Sequence, residues 1–223
     1  MHIPRRCAEV LAATLLTAVL AGCSTPRIQP SSAATGSATT SPSVPATPSP
    51  TGGSPASGAG AQLLATVLPV PAGAHAWTDR NGALDLDGFA HGLFKPDFVS
   101  RAKAVLVRRR FVAAARQGWI SNDGSQTDIF LVRFAAPTGA ESMYESMAHT
   151  WQTTGAPHQH TFAAPADHAT GSVISTLDNL GNASVKLISV RKNLFVYIHY
   201  FTPATPDRSG ALNLLHRQLR AVP

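Results

Sequence analysis

Residues 184–201 read SVKLISVRKNLFVYIHYF, and the fold turns on this stretch. Ser184 to Arg191 and Leu194 to Phe201 are two runs rich in β-branched and aromatic residues, and the pair Lys192-Asn193 between them predicts a hairpin. The second run is apolar on both faces, which places it in the middle of a sheet.

Working outward, a second hairpin precedes it. Phe111, Ala113, Ala115, Gln117 and Trp119 alternate along one strand, Ser121-Asn122-Asp123-Gly124 turns the chain, and Asp128 to Ala135 returns. That return strand carries Phe130, Val132 and Phe134 on one side and Ile129 and Leu131 on the other. Pro96-Asp97 opens a helix to about Arg109, with Phe98, Ala102, Val105 and Leu106 as its inward face. The run Arg108-Arg109-Arg110 then complements the helix dipole. Thr138-Gly139-Ala140-Glu141 has the form of a capping box, and the helix behind it turns Ala140, Met143, Tyr144, Met147 and Trp151 inward until Gly155 and Pro157. A short polar strand spans 158–162, another strand 172–177, and a turn 178–182. Pro206-Asp207 opens a last helix with Leu212, Leu215, Leu219 and Val222 inward. Leu63, Leu64, Val67 and Leu68 read as a short strand or turn at the entry to the domain. Residues 78–96, punctuated by Asn81-Gly82, Asp87-Gly88 and Gly92, read as a loop pinned by Leu84, Phe89, Leu93 and Phe94. Adjacent hairpins interrupted by helices predict an α+β domain, an antiparallel sheet of about five to six strands with helices packed on one face.

The N-terminal quarter has a different character. Residues 1–22 combine basic Arg5 and Arg6, an apolar run from Val10 to Leu20 and small residues before a break, the three parts of a secretory signal peptide. The run is too short for a membrane span. Arg5-Arg6 is followed by Cys7-Ala8-Glu9, which fits twin-arginine export poorly, so general secretion is the expectation. Residues 23–61 begin with Cys23 and continue almost entirely in Ser, Thr, Pro, Ala and Gly, a composition that cannot bury enough apolar surface to offset chain entropy. A flexible stalk of that length holds a domain roughly 35 Å from its anchor. The globular domain is expected over 62–223. The two cysteines, Cys7 and Cys23, both lie ahead of it, so no disulfide is called for.

Leu20-Ala21-Gly22-Cys23 resembles the lipobox of bacterial lipoproteins. The resemblance implies that Leu20, Ala21 and Gly22 are the recognition residues and that Cys23 carries a diacylglyceryl group, often with a further acyl chain such as palmitate on its amine. Two chains suit lasting attachment, since each buried CH2 contributes only about 0.8 kcal/mol. Lipobox and stalk together with Leu68-Pro69, Pro71-Ala72-Gly73-Ala74 and the stretch Trp119 to Ala140, through Phe134 to Gly139-Ala140, resemble the uncharacterised secreted lipoproteins of actinobacteria. Their α+β domains are similar to PsbP-like and receptor-kinase sensor folds. The implied place is the extracytoplasmic face of the cell membrane, and no catalytic residue is carried over.

Within the domain the chemistry is sparse. There is no G-x-S-x-G, H-E-x-x-H, Walker or dinucleotide glycine motif. Ser100-Arg101-Ala102-Lys103 has S-x-x-K spacing without a K-T-G partner, the pattern of two polar residues on a solvated helix face. His158 and His160 fall on one side of a strand, and with His168 or His199 they supply three nitrogens for zinc or copper. Histidines on polar strands near loops, with no carboxylate or thiol paired to them, are the competing explanation. Trp77, Trp119 and Trp151 are candidate pocket walls, although Trp119 and Trp151 already fit the core pattern. The net charge of +6, from 18 Lys and Arg against 12 Asp and Glu, favours anionic lipid or a polyanionic wall polymer as a neighbour. Nucleic acid is not expected, because the basic residues are scattered. The sequence therefore points to a membrane-anchored binding or sensing domain without catalysis or cofactor. A metal-dependent envelope enzyme built on His158 and His160 is the alternative, and a structural partner of an envelope protein is a third reading.

Overall fold

The computed structural model describes residues 55–153, 158–166 and 168–223. The segments read as signal peptide, lipobox with Cys23 and stalk, up to residue 54, lie outside the described residues. In chain order the elements are α1 (Pro55–Leu64), β1 (His75–Ala76), β2 (Gly82–Leu84), α2 (Leu86–Leu93), a single 3-10 turn (Pro96–Phe98), α3 (Val99–Arg108), β3 (Phe111–Ile120), β4 (Gln126–Phe134), α4 (Pro137–Thr153), β5 (Gln159–Ala163), β6 (Ala169–Ile174), β7 (Asn182–Arg191), β8 (Leu194–Pro203) and α5 (Arg208–Ala221). The strand order is β1-β3-β4-β8-β7-β6-β5, with β2 also pairing β3, and every pairing is antiparallel. The α+β class read from the sequence is the observed one. The 184–201 hairpin is β7 and β8, closed between Arg191 and Leu194, and β8 sits mid-sheet between β4 and β7.

Three expectations need correction. Among the described residues the sheet has eight strands rather than five or six. Helices also cover both of its faces rather than one. Leu194, Val196 and Ile198 of β8 point into a core shared with Leu63 of α1 and Leu215 of α5. Phe195 and Tyr197, one residue out of phase, point into a second core with Phe89 of α2, Leu106 of α3 and Met143 of α4. A strand that is apolar on both faces needs two covers, since side chains alternate across the sheet.

The third correction concerns what looked like stalk and loop. Residues 55–61, assigned to the stalk, belong to α1, which lies over β3 and β2. Its small residues are a packing device: a Cβ on Gly60 would stand 2.9 Å from that of Ala83. Leu63 is fully buried. Residues 78–96 hold β2 and α2, whose N-cap Asp85 accepts from the Gly88 amide at 2.8 Å. Phe98, expected inward, is 54% exposed, and Val99 takes the buried position instead.

Polar side chains tie these pieces together. Gln218 of α5 is fully buried, accepts from the Leu68 amide at 2.9 Å and donates to the Thr66 carbonyl at 2.8 Å. It thereby satisfies two backbone groups just past the end of α1. Asn81 does the same for β3, donating to the Gly118 carbonyl at 2.9 Å and accepting its amide at 2.6 Å.

Candidate functional site

The α2–α4 face of the sheet is not uniformly apolar. Gly118 of β3, Asp128 of β4, His199 of β8, Lys186 of β7, Ser172 of β6 and Thr161 of β5 stand in register across it. Directly paired residues share a face, with Cβ atoms about 5 Å apart. A polar row therefore crosses the sheet beside the aromatic core.

At one end of the row Arg116 forks onto Asp128 with two bonds of 2.8 Å, both side chains being 12% exposed. The guanidinium lies 4.8 Å from the Phe130 ring centroid and 5.7 Å from that of Trp77. Burial pushes the Asp128 carboxyl up and the two Arg116 bonds pull it back. Trp77 leans on Gly118, where any side chain would strike the ring. The pair is closed and self-neutralising.

The middle of the row is different. His199 stacks on Phe201 with centroids 3.8 Å apart, and its Nε2 is buried without a partner among the described residues. Burial, with the Lys186 charge beside it, holds its imidazole well below the ordinary value, so it is neutral. Ser172 Oγ, on the other side of Lys186, is likewise buried and unpartnered among the described residues. The Lys186 ammonium makes no hydrogen bond or ion pair among the described residues. Burial and the neighbouring Lys95 charge hold its ammonium below the usual lysine range.

Lys186 faces a cleft of about 580 Å³ between α3 and α4. Ala102, Val105 and Leu106 form the α3 wall; Met143, Met147 and Trp151 form the α4 wall. Tyr197 and Lys186 are contributed by the sheet, and Phe98 stands exposed at the rim. Arg109 bridges the two helices, donating to Ser142 Oγ at 3.0 Å, to Met143 Sδ at 3.2 Å and to Ser146 Oγ. Of the arginine run, Arg109 is thus a strut between helices rather than only a dipole complement. Among the described residues four cations line the cleft, Lys95, Arg101, Arg109 and Lys186, and no carboxylate does. Glu145 on α4 acts on Arg109 from outside that lining.

The residues singled out in the sequence are scattered by comparison. His160 lies on β5 paired to Val173, three strands from His199. At about 4.8 Å per strand these two cannot share an ion. His158 precedes β5 with a left-handed φ of 63°, so the side it was expected to share with His160 does not exist. It borders a separate depression beside Asp178, whose carboxylate already accepts the Leu180 and Asn182 amides. His168 is exposed and meets Glu141 at 3.2 Å. Among the described residues no group of three His, Cys, Asp or Glu can hold a metal ion. The Glu141 carboxylate expected in the capping box thus reaches His168, and α4 begins at Pro137. Lys103 of the S-x-x-K spacing pairs with Asp87 of α2 rather than with Ser100. Trp119 belongs to the core on the opposite face, and only Trp151 of the three tryptophans lines the cleft. Lys186 was missed; its signal is a lysine set between Val185 and the apolar pair Leu187-Ile188.

No family model matches the chain, and no curated protein matches it. Among solved structures it is similar to the extracellular domain of PknH from Mycobacterium tuberculosis. The identity is 11% and the TM-score 0.49, over 72% of this chain and 94% of that one. Among the described residues no helix is long and apolar enough to cross a membrane.

Proposed function

We propose that the chain is a lipid-anchored extracytoplasmic protein whose domain is a binding or sensing module, with the cleft between α3 and α4 as its ligand site. The observation that carries this reading is the cleft itself. At about 580 Å³, with methionine and aromatic walls and a few converging polar groups, it falls within the roughly 300–1,000 Å³ of small-molecule sites. The anchor rests on Leu20-Ala21-Gly22-Cys23 and the stalk behind it.

Binding is tested with N-phenylnaphthylamine, a neutral apolar fluorophore, and the whole chain carrying Cys23→Ala in detergent-free buffer. Saturable fluorescence gain at one probe per chain is expected, and Met147→Trp, which fills the cleft, should abolish it. Absence of binding, or binding indifferent to Met147→Trp, overturns the site. Membrane attachment is tested separately by fractionation. Cys23→Ala should move the protein out of the membrane fraction, and unchanged attachment would contradict the anchor.

A further inference from the structure

We infer that the cleft takes an amphiphile with an anionic head and a single acyl-type chain, the head lying against Lys186 and the chain along Met143, Met147 and Trp151. The inference deepens the binding reading above and rests on it.

Three features point to the charge of the ligand. The half-buried Lys186 has an ammonium without a hydrogen bond or ion pair among the described residues, in a fold that keeps its buried carboxylate, Asp128, in a bidentate pair. Lys95 acts on Lys186 electrostatically, and like charges left together lack their counter-ion. The charged lining is cationic, since Arg101 and Arg109 join these two lysines beside the neutral Ser146 and Thr150, and among the described residues no carboxylate lines the cleft. A neutral apolar ligand would leave Lys186 and Lys95 without a counter-ion among the described residues, and a small inorganic anion would leave the methionine and tryptophan walls empty. An anionic amphiphile satisfies both.

The test displaces bound N-phenylnaphthylamine with decanoate, decanol and acetate at pH 7.5, using the whole Cys23→Ala chain without detergent. Decanoate should displace the probe at a concentration roughly tenfold below that of decanol, and acetate should not displace it in that range. In Lys186→Met the ratio of decanol to decanoate concentrations needed for displacement, each referred to that variant's own probe affinity, should fall from about ten to about one, and Lys186→Arg should restore it. Equal competition by decanoate and decanol in the unsubstituted cleft overturns the anionic head and leaves the cleft reading intact. Retention of the preference in Lys186→Met overturns the role of that lysine, displacement by acetate as efficient as by decanoate overturns the acyl chain, and failure of the probe to bind at all overturns both readings together.

Discussion

The two faces of the sheet are covered by helices in different ways. On the α1/α5 face Leu63, Ile129, Leu131, Val185, Leu187, Ile198 and Leu215 are fully buried, and Gln218 spends both of its polar atoms on backbone. On the α2–α4 face a core of stacked and edge-on phenylalanines stops at a polar row, and α3 and α4 stand apart over it. One face is closed for stability. The other keeps a lysine that has no ion pair among the described residues beside its aromatic core, and such local inconsistency is where function is expected.

The contrast can be broken by substitution. Leu63→Ala should cost about 3 kcal/mol, the range for emptying a filled site, whereas Met147→Ala, on the cleft wall, should cost under about 1. Urea midpoints of the two variants decide this, and equal losses would mean the faces are packed alike. Next in size, Gln218→Ala should cost about 2 kcal/mol, because the Leu68 amide and Thr66 carbonyl lose their partner.

Acid should act chiefly on the cleft face. His199 is held neutral below the ordinary value near 6.5, so on acidification through that value the unfolded chain takes up a proton that the folded chain refuses. Stability from this group is present above pH 6.5 and falls below it, by at most about 1.4 kcal/mol per pH unit. Urea titrations at pH 7.5 and 5.5 should show the loss, and His199→Gln should flatten it. Smallest and opposite in sign, Lys186→Met should gain about 1 kcal/mol at pH 7, roughly 3 °C in Tm for a domain of this size. A loss there would mean that the lysine is satisfied in the fold.

Both hairpins, α3, α4 and α5 were legible because their periodicity is local: Phe111 to Phe134 alternates as a strand pair must, and Met143, Met147 and Trp151 repeat as a helix must. The two-sided cover was legible in principle. Phe195 to Ile198 has no polar position to give to water, and only a second helical layer resolves that. α1 and α2 were hidden by Gly60, Gly88 and Gly92, which read as linker and loop. Gly60 and Gly92 instead permit close approach, to Ala83 and to the Phe130 ring respectively. The site was hidden for another reason. Asp128, Lys186 and His199 lie on three strands, and only the register brings them into one row. The histidine cluster read from spacing failed on the same ground, since spacing along the chain says nothing about which strands become neighbours.

Met143 and Met147 both line the cleft, and the remaining methionine is Met1. Labelling the whole chain with 13C-methyl methionine and titrating with decanoate therefore observes the proposed site directly. Saturable shifts of both Met143 and Met147 methyl signals, lost in Lys186→Met at the same decanoate concentration, are the predicted result. Signals that stay fixed while decanoate is added, or that move identically with and without Lys186, would contradict it.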